Sequence, residues 1–188
     1  MVMRQPAMTP LAQESESRLA RLKVCMVGDE SVGKTSLIRR YVYSMYDEAY
    51  IRTVGTMVSK RDVELPEIGY QASLIIWDIM GRKDFMDLFK EAYFKHVRGV
   101  LAVFDITRPK TLDSLKEWIG GIKSSVGEVP TFILANKQDI RLKDGLSDPD
   151  IERFCSTYAC PWRKTSAKTG ENVEEAFHDL AVSMIRVQ

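Results

Sequence analysis

No apolar run in this sequence approaches the roughly 20 residues that a membrane-spanning helix needs. Its first 17 residues are polar, hold two prolines and lack the apolar centre of a secretory signal. Position 2 is Val2 rather than glycine, and the closing "MIRVQ" carries no cysteine, so neither myristoylation nor prenylation is expected of the chain as it stands. Charge of one sign is also missing. The 27 basic and 26 acidic residues leave a net +1, which removes any bulk electrostatic argument for nucleic acid or a membrane surface. Cysteine is scarce: Cys25, Cys155 and Cys160 make no even disulfide set and have no zinc-site spacing. Cys25 reads as a small buried hydrophobe, and the pair in "CSTYAC" as core and loop filler. A reducing cytoplasm is the expected compartment. Peripheral contact with a membrane could come through a partner, a missing tail or the arm at residues 1–20.

What is there is the composition of an ordinary globular domain, 45% hydrophobic and 28% charged over 188 residues. Residues 1–20 read as a flexible N-terminal arm and 21–188 as one domain. Beyond the arm, short apolar runs ("LKVCMVG", "MVSKRDVEL", "ASLIIWD", "VLAVFD", "TFILAN" and a weaker "CPWRKTS") alternate with amphipathic segments. Leu112, Leu115, Ile119 and Ile122 fall at helical spacing. So do Ile151, Phe154, Cys155 and Tyr158, behind an expected cap at Asp148 and a Pro149 first turn. Val173, Ala176, Phe177, Leu180, Ala181 and Met184 form a third stripe after an acidic first turn. The second and third apolar runs, parted by "PEIGYQ", look like a hairpin. The expected class is α/β: a mostly parallel sheet with one antiparallel strand, covered by helices on both faces. Ligands of such folds gather at the carboxyl ends of the strands, so functional motifs should sit there.

They do. "GDESVGKTS" follows the first run and precedes a helical segment, matching the phosphate-loop pattern at Gly28, Gly33, Lys34 and Thr35. Glycines at these places let successive N–H groups point inward at phosphate oxygens. Lys34 supplies a point charge, Thr35 offers a hydroxyl oxygen to Mg²⁺, and the helix aims its positive end at the anion. After the fifth run comes "NKQD". The carboxylate of Asp139 can accept two hydrogen bonds from guanine, an arrangement adenine does not present. Lys137 can lay its stem over a base, and Asn136 can tie loops together. "TSAKTG" follows the sixth run, where the Ala167 N–H could meet the guanine oxygen.

On these motifs the chain resembles a Ras-superfamily small GTPase, nearest the Rab-like or Ras-like branches, over about residues 21–187. The resemblance implies the phosphate-loop NTPase fold, with six strands and about five helices. It also implies GTP and GDP as ligands with Mg²⁺, and a nucleotide-dependent switch. In the phosphate loop it adds Glu30, Ser31, Val32 and Ser36 to the nucleotide contacts, and at the base Ser166 and Lys168. In "YDEAYIRTVGT" it assigns Thr53 to Mg²⁺ and γ-phosphate sensing, and Tyr46 to an edge-on contact with guanine. Asp78 becomes the aspartate that holds Mg²⁺ through water, and the Gly81 N–H a donor to the γ-phosphate. Trp77 reads either as a surface aromatic that meets partners or as a core residue. Effector, exchange-factor and activating proteins would engage residues 44–57 and 79–92.

Three positions depart from the family pattern. Arg82 stands where a glutamine usually orients the attacking water, Met80 replaces a small residue, and Glu30 occupies a place normally kept small. A guanidinium has donors only and cannot accept a hydrogen bond from water. Slow hydrolysis of GTP is therefore expected, with Lys34, Thr53, Gly81 and Arg82 as the residues nearest the chemistry. Arg82 could act as a brake or as an arginine finger in cis. Glu30 and Arg82 could pair, or both could face solvent. Three readings stay open: a slow GTPase switch, a nucleotide-binding scaffold without turnover, and a phosphate-loop kinase or ATPase. "NKQD" and "TSAK" speak against the last.

Overall fold

The alternation of apolar runs and amphipathic segments becomes, in a computed structural model, a six-stranded sheet with helices on both faces. The structure describes residues 17–47, 53, 55–81, 91–140 and 146–187. Strands β1 (Arg18–Val27), β2 (Thr56–Leu65), β3 (Tyr70–Ile79), β4 (Gly99–Asp105), β5 (Thr131–Asn136) and β6 (Trp162–Lys164) lie in the order β2-β3-β1-β4-β5-β6. The expected hairpin is present: β2 runs antiparallel to β3, joined through Pro66–Ile68. The remaining pairings are parallel. Helices are α1 (Lys34–Tyr43), α2, described over 91–94, α3 (Lys110–Val126), α4 (Asp148–Thr157) and α5 (Val173–Arg186). Among the described residues no helix is long and apolar enough to cross a membrane.

The sheet separates two apolar clusters. On one side Leu37, Ile38 and Tyr41 of α1 meet Val173, Phe177, Leu180 and Met184 of α5 beneath β1 and β3, with the Tyr41 and Phe177 rings stacked 3.9 Å apart. On the other, Leu112, Leu115, Trp118 and Ile122 of α3 pack with Cys25, Phe94, Phe104, Ile151 and Cys155. β4 is buried along its whole length, as expected of a central strand in a parallel sheet covered on both faces.

Three details differ from expectation. β1 begins at Arg18, inside the stretch assigned to the arm, because the Arg18 N–H reaches the Gly69 carbonyl and the ladder with β3 runs on past the core. On α3 the buried position is Trp118, while Ile119 is only partly covered. The cap of α4 is Ser147, whose hydroxyl accepts from the Asp150 N–H at 3.3 Å; Asp148 instead pairs with Lys164 at 2.6 Å.

A candidate nucleotide site at the carboxyl ends of the strands

The phosphate loop leaves β1 at its central position in the sheet and turns directly into α1. The turn requires left-handed backbone at Gly33, with φ of 102°. A Cβ there would come within 2.2 Å of Asn136 Nδ2, so only glycine fits. The space is small because Asn136 donates through Nδ2 to the Val32 carbonyl at 2.8 Å, stitching the end of β5 to the phosphate loop. Val32 is fully buried, Ser31 is exposed with φ of 61°, and Ser36 lies in the first turn of α1.

Lys34 is 6% exposed, and its ammonium donates to the Gly28 and Asp29 carbonyls at 2.7 and 2.9 Å. Burial pushes its pKa down to about 8, against the opposing pull of Asp78, Asp29 and Glu30. Exposed charges more than a Debye length apart, about 8 Å at physiological salt, are largely screened, whereas the buried Lys34 is screened much less.

Opposite Lys34, three oxygen-bearing side chains converge. Thr35 Oγ1 lies 2.8 Å from Thr53 Oγ1 and donates to Asp78 Oδ2 at 2.5 Å, and Thr53 Oγ1 lies 3.5 Å from the same oxygen. The other oxygen, Asp78 Oδ1, is buried without a hydrogen-bond partner among the described residues. Burial raises the pKa of this carboxyl, with the Thr35 bond and Lys34 acting against the shift.

The segments expected to act as switches meet here as well. The Met80 N–H donates to the Gly55 carbonyl at 3.2 Å, joining the strand ends of β2 and β3. Met80 itself is buried. Gly81 presses against the phosphate loop so closely that a Cβ would meet the Glu30 nitrogen at 2.5 Å. Arg82 lies outside the described residues, as does its suggested pairing with Glu30, and most of residues 48–54 do too.

At the base end, Asn136 Oδ1 accepts from the Ala167 N–H and Thr165 Oγ1, both at 3.3 Å, and Asp139 accepts from Ser166 Oγ at 2.6 Å. The Ala167 N–H expected to meet guanine thus already has a long bond inside the protein. Lys137, with φ of 69°, ends its side chain at Asp105, 2.7 Å from Nζ to Oδ2. Tyr46 stands beside the Arg40 guanidinium, 5.9 Å from its ring centroid, and Arg40 donates to the Ala167 and Lys168 carbonyls at 2.8 and 2.5 Å. Trp77 is half-buried against the α3-side cluster, and Lys23 Nζ lies 3.9 Å over its ring.

Residues 23–186 match the Ras family. The chain belongs to that family. It is 36% identical over 160 residues to the Ras-related protein Rab-8B of Homo sapiens, covering 85% of this chain and 76% of the relative. It is 31% identical over 183 residues to the Ras-related protein Rab-32 of Mus musculus, covering 92% and 79%. The family and the fold read from the motifs both stand.

Mg²⁺ fits the oxygen set of this Ras-family chain on one observation: Asp78 Oδ1 is a buried carboxylate oxygen that accepts from no donor among the described residues. Two hydroxyls and a carboxylate are hard donors suited to Mg²⁺, which keeps waters and is bound by few protein groups.

Four residues of the site carry no motif. Asp105 ends β4 and collects Lys137, Arg108 and Thr107; Arg108 also reaches the Glu30 carbonyl at 2.9 Å. Trp118 donates through Nε1 to Asp29 Oδ1 at 3.1 Å, and Arg40 holds the Ala167 loop. Only Trp118 had a signal, three residues after Leu115 on the apolar stripe of α3.

Proposed function

We propose that this Ras-family chain binds GTP and GDP together with Mg²⁺ and works as a nucleotide-dependent switch that hydrolyses GTP slowly. One observation carries the reading: a buried lysine, a hydroxyl–hydroxyl–carboxylate oxygen set and an Asn-Lys-Gln-Asp turn share one strip at the carboxyl ends of β1, β3, β5 and β6.

Each part has a task. Lys34 and the N–H groups of the phosphate loop take the β- and γ-phosphates, with the α1 N-terminus behind them. Thr35, Thr53 and Asp78 hold Mg²⁺, directly or through water, and the ion when bound neutralises charge between the phosphates. Asp139, oriented by Ser166, accepts from the guanine edge, while Lys137 and Tyr46 flank the base. Gly81 and Thr53 report the γ-phosphate. The Met80–Gly55 backbone bond supports concerted motion of the two segments, 44–57 and 79–92, that effector, exchange-factor and activating proteins would contact. Slow turnover follows from chemistry alone: Arg82 cannot accept a hydrogen bond from the attacking water.

The test is equilibrium binding of fluorescent GDP, GTP and ATP analogues with and without Mg²⁺. Guanine nucleotides should bind far tighter than ATP, with Asp139→Ala erasing the preference. Equal binding of ATP would remove the guanine reading.

A further inference from the structure

The phosphate loop is tied to the rest of the domain by an arginine that the motifs leave out. Arg108 follows β4 in the turn before α3. Its Nε donates to Asp105 Oδ2 at 3.0 Å, and its Nη2 donates to the Glu30 carbonyl at 2.9 Å. The same Asp105 oxygen receives Lys137 Nζ at 2.7 Å, and Asp105 is 1% exposed. Its second oxygen is filled by the Thr107 N–H and hydroxyl at 2.9 and 2.6 Å. One buried carboxylate therefore holds two cations, one that reaches the phosphate loop and one that belongs to the base turn.

We infer that Arg108 is a positioning residue that clasps the outer lip of the phosphate loop to the base-binding strand end, and so slows release of bound nucleotide. The inference rests on the nucleotide reading above and deepens it.

Geometry explains why an arginine is needed. The Glu30 carbonyl and the Asp105 carboxylate lie in different directions, and a planar guanidinium reaches both with separate N–H groups. A lysine, with one nitrogen, would hold both poorly. The Glu30 carbonyl lies in the stretch whose neighbouring N–H groups face the phosphates, and Gly81 packs against the Glu30 nitrogen. Fixing that carbonyl fixes the peptide planes on which the phosphate contacts depend. The loop has a second tether, from Asn136 Nδ2 to the Val32 carbonyl at 2.8 Å, so the two clamps hold it at different residues. Arg108 is itself 44% exposed, so its bonds are screened and the expected effect is moderate.

The experiment measures dissociation of fluorescent GDP from the Mg²⁺-loaded full chain, beside the ³¹P resonance of the bound β-phosphate. Arg108→Ala should release GDP about fivefold faster, the change expected from one partly exposed charged hydrogen bond. It should also move the β-phosphate resonance while the melting temperature changes little. Arg108→Lys should restore part of the slow release. Lys110→Ala, which removes an exposed charge nearby, should change neither quantity and so controls for net charge. Release and resonance equal to wild type in Arg108→Ala would overturn the clasp. So would a Lys110→Ala effect as large as that of Arg108→Ala, which would assign the change to the general field. If wild type binds no GDP, the nucleotide reading fails instead, and the two failures are told apart.

Discussion

Replacing Trp118 by phenylalanine isolates a single contact between the α3 core and the phosphate loop. Trp118 is fully buried, and its only polar atom donates to Asp29 Oδ1 at 3.1 Å. Phenylalanine keeps most of the apolar contact and removes the donor. Loss of a hydrogen bond to a charged acceptor costs about 1.5–3 kcal/mol, and the smaller ring adds roughly 1 kcal/mol. Asp29 is only partly buried and can recover water, which brings the total to about 2–4 kcal/mol. For a domain of this size that lowers the melting temperature by roughly 5–12 °C. Stability alone would not identify the contact, because any core truncation lowers it. Leu115→Ala supplies the comparison: it opens a cavity in the same cluster at about 2–5 kcal/mol and removes no hydrogen bond to the loop, since a leucine side chain has no polar atom. The assay is urea unfolding of both variants paired with GDP dissociation. Trp118→Phe should speed release several-fold at matched stability loss, and Leu115→Ala should leave release unchanged. Equal release rates for the two variants would refute the idea that Trp118 acts through Asp29.

Three further outcomes follow from other parts of the molecule. Asp78→Ala should weaken Mg²⁺ by about 10–100-fold, the usual range for a residue that holds an ion through water, read as the Mg²⁺ concentration needed to slow GDP release. The Asp105 carboxyl is pushed up by burial, but Lys137 and Thr107 outweigh that and hold it below the ordinary carboxylate value. A depressed carboxylate stabilises the fold above its unfolded pKa, and that contribution is lost as pH falls through the folded one. The stability gap between wild type and Asp105→Asn should therefore be constant near neutrality and close only on acidification below about pH 4, as urea midpoints across pH would show. The thiols of Cys25 and Cys155 are buried, with pKa values pushed up to about 12 by that burial, whereas Cys160 is half-exposed. Alkylation at pH 8 followed by mass spectrometry should therefore modify Cys160 first and reach the other two only on unfolding.

The sequence made the sheet legible because each strand is a short apolar run punctuated by turn residues, and the motif positions followed from the rule that ligands gather at strand ends. Lys34, Thr35, Asp78, Asn136 and Asp139 could be singled out because each belongs to a motif. Asp105, Arg108 and Arg40 were not, since they act through contacts 32 to 127 residues distant or through a turn with no fixed pattern. For Arg40 the contact is with a carbonyl 127 positions away, and no local window holds that information. The cap of α4 was misplaced by one residue because serine and aspartate both cap well, and a distant lysine, Lys164, decides between them by engaging Asp148.

The most direct measurement is single-turnover hydrolysis of GTP by the Mg²⁺-loaded chain, run beside Arg82→Gln. A slow wild type and a faster Arg82→Gln variant, both binding GTP and GDP, is the outcome a slow switch predicts. Rapid turnover by the unaided wild type would contradict the account, as would a variant that binds both nucleotides and hydrolyses no faster than the wild type.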